Sequence, residues 1–220
     1  MRKLNLAVAA LAIGLAVPAN ASVIYDNGTP NGSGGNLSGG WVQAEDFSFG
    51  STTSVGGAGV YIGTTSDIAA WDGSFTYYIF SDSGGSPGTM LASGSVSPTV
   101  TATAFPDYFG NAYLFSFDLS SPFDASAGTT YWLGIHTAAD FSTQGDIFWA
   151  NTDSNSTATG HESFGGTFDN WADNGAEHAF YLTGLTSSVP EPATWALMTL
   201  GFGVAGVGLR RGRTKRRQFT

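Results

Sequence analysis

The chain has 220 residues and no cysteine, so no disulfide can brace it and any fold must be held by its core. All eight Lys and Arg residues lie near the two ends, at positions 2, 3, 210, 211, 213, 215, 216 and 217, while 16 of the 17 acidic residues fall between positions 22 and 189. That span carries a formal charge of −16, which argues against nucleic acid and anionic lipid as partners, since both are bound through basic patches.

Residues 1–21 read as a secretory signal peptide. Arg2 and Lys3 supply the positive start, residues 4–17 the apolar stretch, and Ala19-Asn20-Ala21 a small-residue site that places cleavage before Ser22. The middle of the chain is therefore expected to leave the cytoplasm through the Sec translocon and to be freed by signal peptidase. Carboxylates without cations there serve as a solubilising surface or attract divalent metal ions.

Residues 22–185 are expected to form one domain. Short segments rich in β-branched and aromatic residues alternate with Gly, Ser, Asn, Asp and Pro clusters, which predicts strands over 42–49, 54–61, 74–81, 90–97, 112–119, 130–136, 146–150 and 177–185. In Phe75-Thr-Tyr77-Tyr-Ile79 and Tyr113-Leu-Phe115-Ser-Phe117 the large residues recur at every second position, so each set shares one strand face. No long helical period intervenes. The fold class is all-β, a single β-sandwich or jelly-roll-like domain. The stretch 26–40, with glycines at 28, 32, 34, 35, 39 and 40, is expected to be a long loop, and 186–189 a linker.

Chemistry is thinly marked. The middle span lacks Cys, Lys and a G-x-S-x-G turn; His136, His161 and His178 sit in no catalytic motif, and His161-Glu162 lacks the second histidine of H-E-x-x-H. Glycoside hydrolysis asks only for two carboxylates, which this composition supplies without singling out a pair. Asn151, Asp153, Asn155 and Glu162 fall at positions 1, 3, 5 and 12 of a calcium-type loop. Asn at the first position and Ser156 at the glycine position depart from that pattern, and a solvated loop between strands is the alternative. Trp41, Trp71-Asp72 and Asp169-Asn170-Trp171 set an aromatic ring beside turn residues, as a sugar-stacking platform would. Packing at strand ends is the competing reading for all three, and Trp132 and Trp149 are expected in the core.

The C-terminal stretch has three parts in order: Pro190-Glu191-Pro192, an apolar segment over about 193–209, and a basic tail beginning at Arg210-Arg211. As a helix rising ~1.5 Å per residue the apolar part is about 26 Å long, just short of the ~30 Å hydrocarbon core, so it spans a membrane marginally and leaves the basic tail cytoplasmic. Gly201-Phe-Gly203-Val-Ala-Gly206 spells a dinucleotide fingerprint, but no strand precedes it and no acidic residue follows, so nucleotide binding is not expected. With Trp195-Ala196 after the triplet and Gly201, Gly203, Gly206 and Gly208 in the apolar part, this stretch closely resembles the PEP-CTERM sorting domain of Gram-negative bacteria. The resemblance implies an exosortase, a membrane protease or transpeptidase, that cuts near Pro190–Pro192, transient anchorage in the inner membrane, and a host that makes exopolysaccharide. An ordinary tail-anchor helix is the alternative. Tyr78-Ile-Phe80-Ser-Asp82, Gly85-Ser-Pro87-Gly88, Leu91-Ala-Ser-Gly94 and the run from Gly128 to Ile135 are similar to β-sandwich ectodomains attached to such signals.

The expected function is that of an exported, non-enzymatic cell-surface or extracellular-matrix protein that binds exopolysaccharide, with Ca2+ as the one candidate cofactor. The alternatives are a secreted glycan hydrolase working through paired carboxylates and a purely structural coat protein.

Overall fold

The structure, a computed structural model, describes residues 21–37, 40–65, 67–107, 110–141, 147–153 and 158–185. The described strands belong to one compact unit, Ala21–Thr186. They are β1 (Val23–Asp26), β2 (Pro30–Leu37), β3 (Trp41–Ser48), β4 (Thr53–Thr64), β5 (Thr76–Asp82), β6 (Pro87–Ser95) and β7 (Thr99–Asp107). β8 (Gly110–Ala125), β9 (Thr130–His136), β10 (Ile147–Thr152), β11 (His161–Phe164), β12 (Ala172–Asp173) and β13 (Phe180–Gly184) complete the set. Each of the eight predicted segments overlaps one of these strands. The helical content among the described residues is a 3-10 turn, Ile68–Ala70, capped by the Asp67 carboxylate. No described helix is long and apolar enough to cross a membrane.

All pairings are antiparallel and they close into two sheets, consistent with a β-sandwich. The seven-stranded sheet runs β1-β13-β4-β10-β2, with β8 on the opposite side of β4 and β7 beyond it; the six-stranded sheet runs β12-β11-β3-β9-β5-β6. The alternation seen in the sequence decides which side chains meet. Phe75, Tyr77 and Ile79 from one sheet and Phe115, Phe117, Val60 and Ile62 from the other are buried in one cluster, with Trp149, Phe180 and Leu133. Burying aromatic area on this scale substitutes for the missing disulfides. On the outer side of β4, a Cβ on Gly59 would lie 2.2 Å from the Tyr181 ring, so only glycine lets that ring lie across the strand.

The stretch 26–40 is not the long loop its glycines suggested. Pro30–Leu37 pairs with β10 as β2, from Thr152↔Pro30 to Phe148↔Leu37, with two register shifts. Glycine weakens a strand by entropy and by the lack of a packing side chain. Here β10 offers a ready row of partners at the sheet edge, and its backbone bonds outweigh that local cost.

A second, smaller core covers the outer face of the six-stranded sheet. Residues of β3 alternate, with Phe47 turned toward the other sheet and Val42 and Ala44 turned out to meet Tyr78, Phe80 and Trp132. Phe141, from the segment after β9, and Ala158, Phe168 and Trp171, from the segments flanking β11, pack over these. This covering layer is what positions the candidate site. Residues 1–20, 186–220 and the Asn155 position lie outside the described residues, and with them the signal-peptide core, Ala19, the linker and the whole C-terminal signal.

Candidate functional site

Where the β5–β6 turn meets the covering segment, an open groove of about 590 Å3 forms. One wall is the turn, with Ser81, Asp82, Ser83, Ser86 and Thr89; the other is Phe168, Asp169 and Trp171. The turn is built from its own sequence. Asp82 ends β5 and folds back on the glycines after it, its carboxylate accepting from the Gly84 N–H at 3.1 Å and from the Gly85 N–H at 3.2 Å. The indole Nε1 of the fully buried Trp132 donates to Asp82 Oδ1 at 3.0 Å, which ties the exposed turn to the core. Such bonds to a carboxylate are stronger than neutral ones and hold it in one place.

The opposite wall rests on aromatics. Trp171 meets Phe80 edge-on with centroids 5.2 Å apart, and Phe168 meets Tyr78 at 4.9 Å and Phe80 at 5.4 Å. Burial pushes the Tyr78 hydroxyl above its ordinary range. The Nε1 of Trp171 is buried and the residue as a whole is half-buried, so what part of the ring reaches solvent is hydrocarbon. Phe168 is held at φ 57°, unique among the described non-glycine residues. A bulky residue in that region costs on the order of 1–3 kcal/mol and persists only where its surroundings fix it, a pattern common at ligand clamps. Asp169 Oδ1 accepts from the Thr167 hydroxyl, and Asp169 itself is exposed.

Of the residues singled out for sugar contact, the structure brings Asp169 and Trp171 into this groove and leaves the others elsewhere. Trp71 donates from Nε1 to the carbonyls of Thr137 at 3.0 Å and Ser74 at 3.2 Å, and its ring lies 4.8 Å from Phe115, so it pins a loop to the main core. Asp72 accepts from Ser74 N in a tight turn. Trp41 opens β3 and packs edge-on against Phe164 at 5.0 Å. Asp82 and Phe168 escaped the sequence reading. Asp-Ser-Gly-Gly after a strand was the available signal for the first; nothing local marks the second.

The proposed metal ligands are divided between the sheets. Asn151 lies in β10 and Glu162 in β11. Asp153 is exposed and accepts from Asn31 Nδ2 at 2.7 Å, and Glu162 Oε2 accepts from Gln43 Nε2 at 3.4 Å. Among the described residues no group of three His, Asp or Glu side chains is placed to hold a metal ion.

Between the sheets Glu162 belongs instead to a chain of polar contacts. Asn174 Oδ1 accepts from Ala176 N, which fixes its amide, so Nδ2 donates to Gln43 Oε1 at 3.0 Å and to His178 Nε2 at 3.1 Å. His178 is fully buried and stacked on Trp149 at 4.9 Å, and burial lowers its pKa to about 3. It is therefore neutral, with the proton on Nδ1, a buried atom without a hydrogen-bond partner. Its backbone N–H donates to the buried Glu45 carboxylate at 2.7 Å, linking the sheets. Such wiring is structural and offers no open face to a substrate.

Outside these described elements, residues 188–213 match a family model described as the PEP-CTERM protein-sorting motif. The resemblance read from Pro190, Glu191, Pro192, Trp195 and Ala196 is thus supported by an independent match. No curated protein matches the chain.

Proposed function

We propose that this protein is a non-enzymatic glycan-binding component of the cell surface or extracellular matrix, and that the groove between the β5–β6 turn and Trp171 is its binding site. The sorting motif at 188–213 marks the chain as an exported, exosortase-processed protein. The observation that carries the binding reading is the meeting, in one open groove, of ring carbon of the half-buried Trp171 with fixed carboxylate and hydroxyl groups on the facing turn. Sugars present the complementary surface, C–H faces for stacking and hydroxyls for hydrogen bonds.

The test is affinity electrophoresis of the full chain in detergent through gels containing extracellular polysaccharide, with reducing ends assayed in parallel. Retardation that is lost in Trp171→Ala, without release of reducing ends, is the expected result. Reducing-end release would establish a hydrolase, and the absence of retardation with every polysaccharide would leave a structural coat protein.

A further inference from the structure

We propose that the ligand of this groove is a glycan bearing free amino groups, a proposal that rests on the glycan reading above. Charge is what singles it out. Asp82 and Asp169 line the groove, and no Lys or Arg occurs between residues 22 and 189 to neutralise either. The partners they do have, the Trp132 indole, the Gly84 and Gly85 amides and the Thr167 hydroxyl, orient the carboxylates and bring no charge.

Three classes of polysaccharide meet this groove differently. A chain carrying uronates or other anions sets like charge against two fixed carboxylates, with the rest of a strongly acidic body behind them. A neutral chain can hydrogen-bond but leaves both charges uncompensated. A protonated sugar amine supplies the missing sign and three donors, and charge-assisted bonds of that kind are about twice as strong as neutral ones. The part of the Trp171 ring that lines the groove serves the same ligand twice, as an apolar contact for the pyranose and as an aromatic edge of the site beside which an ammonium is attracted to the ring's π electrons.

The test uses the full chain in detergent, in mildly acidic buffer, with three probes: a hexamer of glucosamine, the fully N-acetylated hexamer, and hexalysine. The glucosamine hexamer is expected to bind about tenfold more tightly than the acetylated one, the worth of one partly exposed charge-assisted contact. Asp169→Asn, at an exposed position where the fold is not at stake, is expected to erase that advantage; Trp171→Ala weakens both hexamers. The advantage shrinks as salt rises from about 0.01 M to about 1 M and the screening length falls from about 30 Å to about 3 Å. Asp118→Asn, exposed on β8 in the other sheet, is expected to change nothing. Equal or tighter binding of the acetylated hexamer would overturn the amine while leaving the glycan reading intact. Hexalysine binding as tightly as the glucosamine hexamer, or Asp118→Asn acting as strongly as Asp169→Asn, would reduce the effect to diffuse attraction and overturn it too. Binding of neither hexamer overturns this proposal, while the glycan reading stands or falls with retardation in the polysaccharide gels.

Discussion

His178→Phe is the variant in which the buried polar chain can be tested most directly. Phenylalanine keeps a flat ring against Trp149, where the histidine now stacks at 4.9 Å and 14°. It leaves untouched the backbone bonds to Glu45 and from Asn27, which use His178 N and O. What it removes is titration. In the folded protein the imidazole has a pKa of about 3, against 6.5 when exposed, and the cause is burial. Between those values the unfolded chain binds a proton that the folded one refuses, so the stability tied to the neutral ring is complete above pH 6.5 and declines as pH falls. The slope is about 1.4 kcal/mol per pH unit, which amounts to about 2 kcal/mol by pH 5. Denaturant unfolding at pH 6.5 and pH 5, on the native chain and the variant, isolates this effect, because every carboxylate and the other two histidines are common to both. At pH 6.5 the two should be similar, since the variant loses the Asn174 contact and also discards the unpartnered Nδ1–H, a deficit worth about 1–3 kcal/mol. At pH 5 the native chain should have lost about 2 kcal/mol relative to the variant. A native-minus-variant difference that stays constant across that interval would show that His178 is hydrated or charged in the folded state, and would refute the neutral Nδ1–H tautomer and its polar chain.

Three further outcomes are expected. Gly134→Ala sets a Cβ 2.8 Å from the Phe80 ring and should cost about 1–3 kcal/mol by denaturant unfolding; since Phe80 supports both Trp171 and Phe168, glycan retardation should weaken with it. Trp132→Phe removes the indole donor from Asp82 and should cost about 1.5–3 kcal/mol in the same measurement, with a second effect on binding because the turn is no longer tied to the core. Millimolar calcium should leave the melting temperature of the full chain unchanged, because Glu162 and Asp153 are bound to Gln43 and Asn31; a rise of several degrees would show that the loop after β10 closes round an ion.

The sequence exposed the fold wherever alternation was strong and hid it wherever pairing alone makes the strand. Phe75, Tyr77 and Ile79 announce a buried face by their own spacing, and β5 lies where they predict. β2 has no such spacing, because a glycine-rich strand at a sheet edge is held by the backbone of its neighbour, and backbone hydrogen bonding leaves almost no trace in side-chain composition. β11 and β12 are too short for a period to be read at all. The same distinction governs the groove. Asp169-Asn170-Trp171 could be singled out as one aromatic beside turn residues, but Trp41 and Trp71 have that composition too. Trp71 spends its N–H on two carbonyls, whereas Trp171 buries its N–H and shows ring carbon to the Asp82 turn. That difference is set by residues nearly a hundred positions away, since β5 and β6 form the far wall. Composition can therefore nominate a stacking residue, but only the register of distant strands decides which nominee faces a partner. The C-terminal signal behaves oppositely: it is a linear motif read by another protein, so its three consecutive parts are fully legible without any fold.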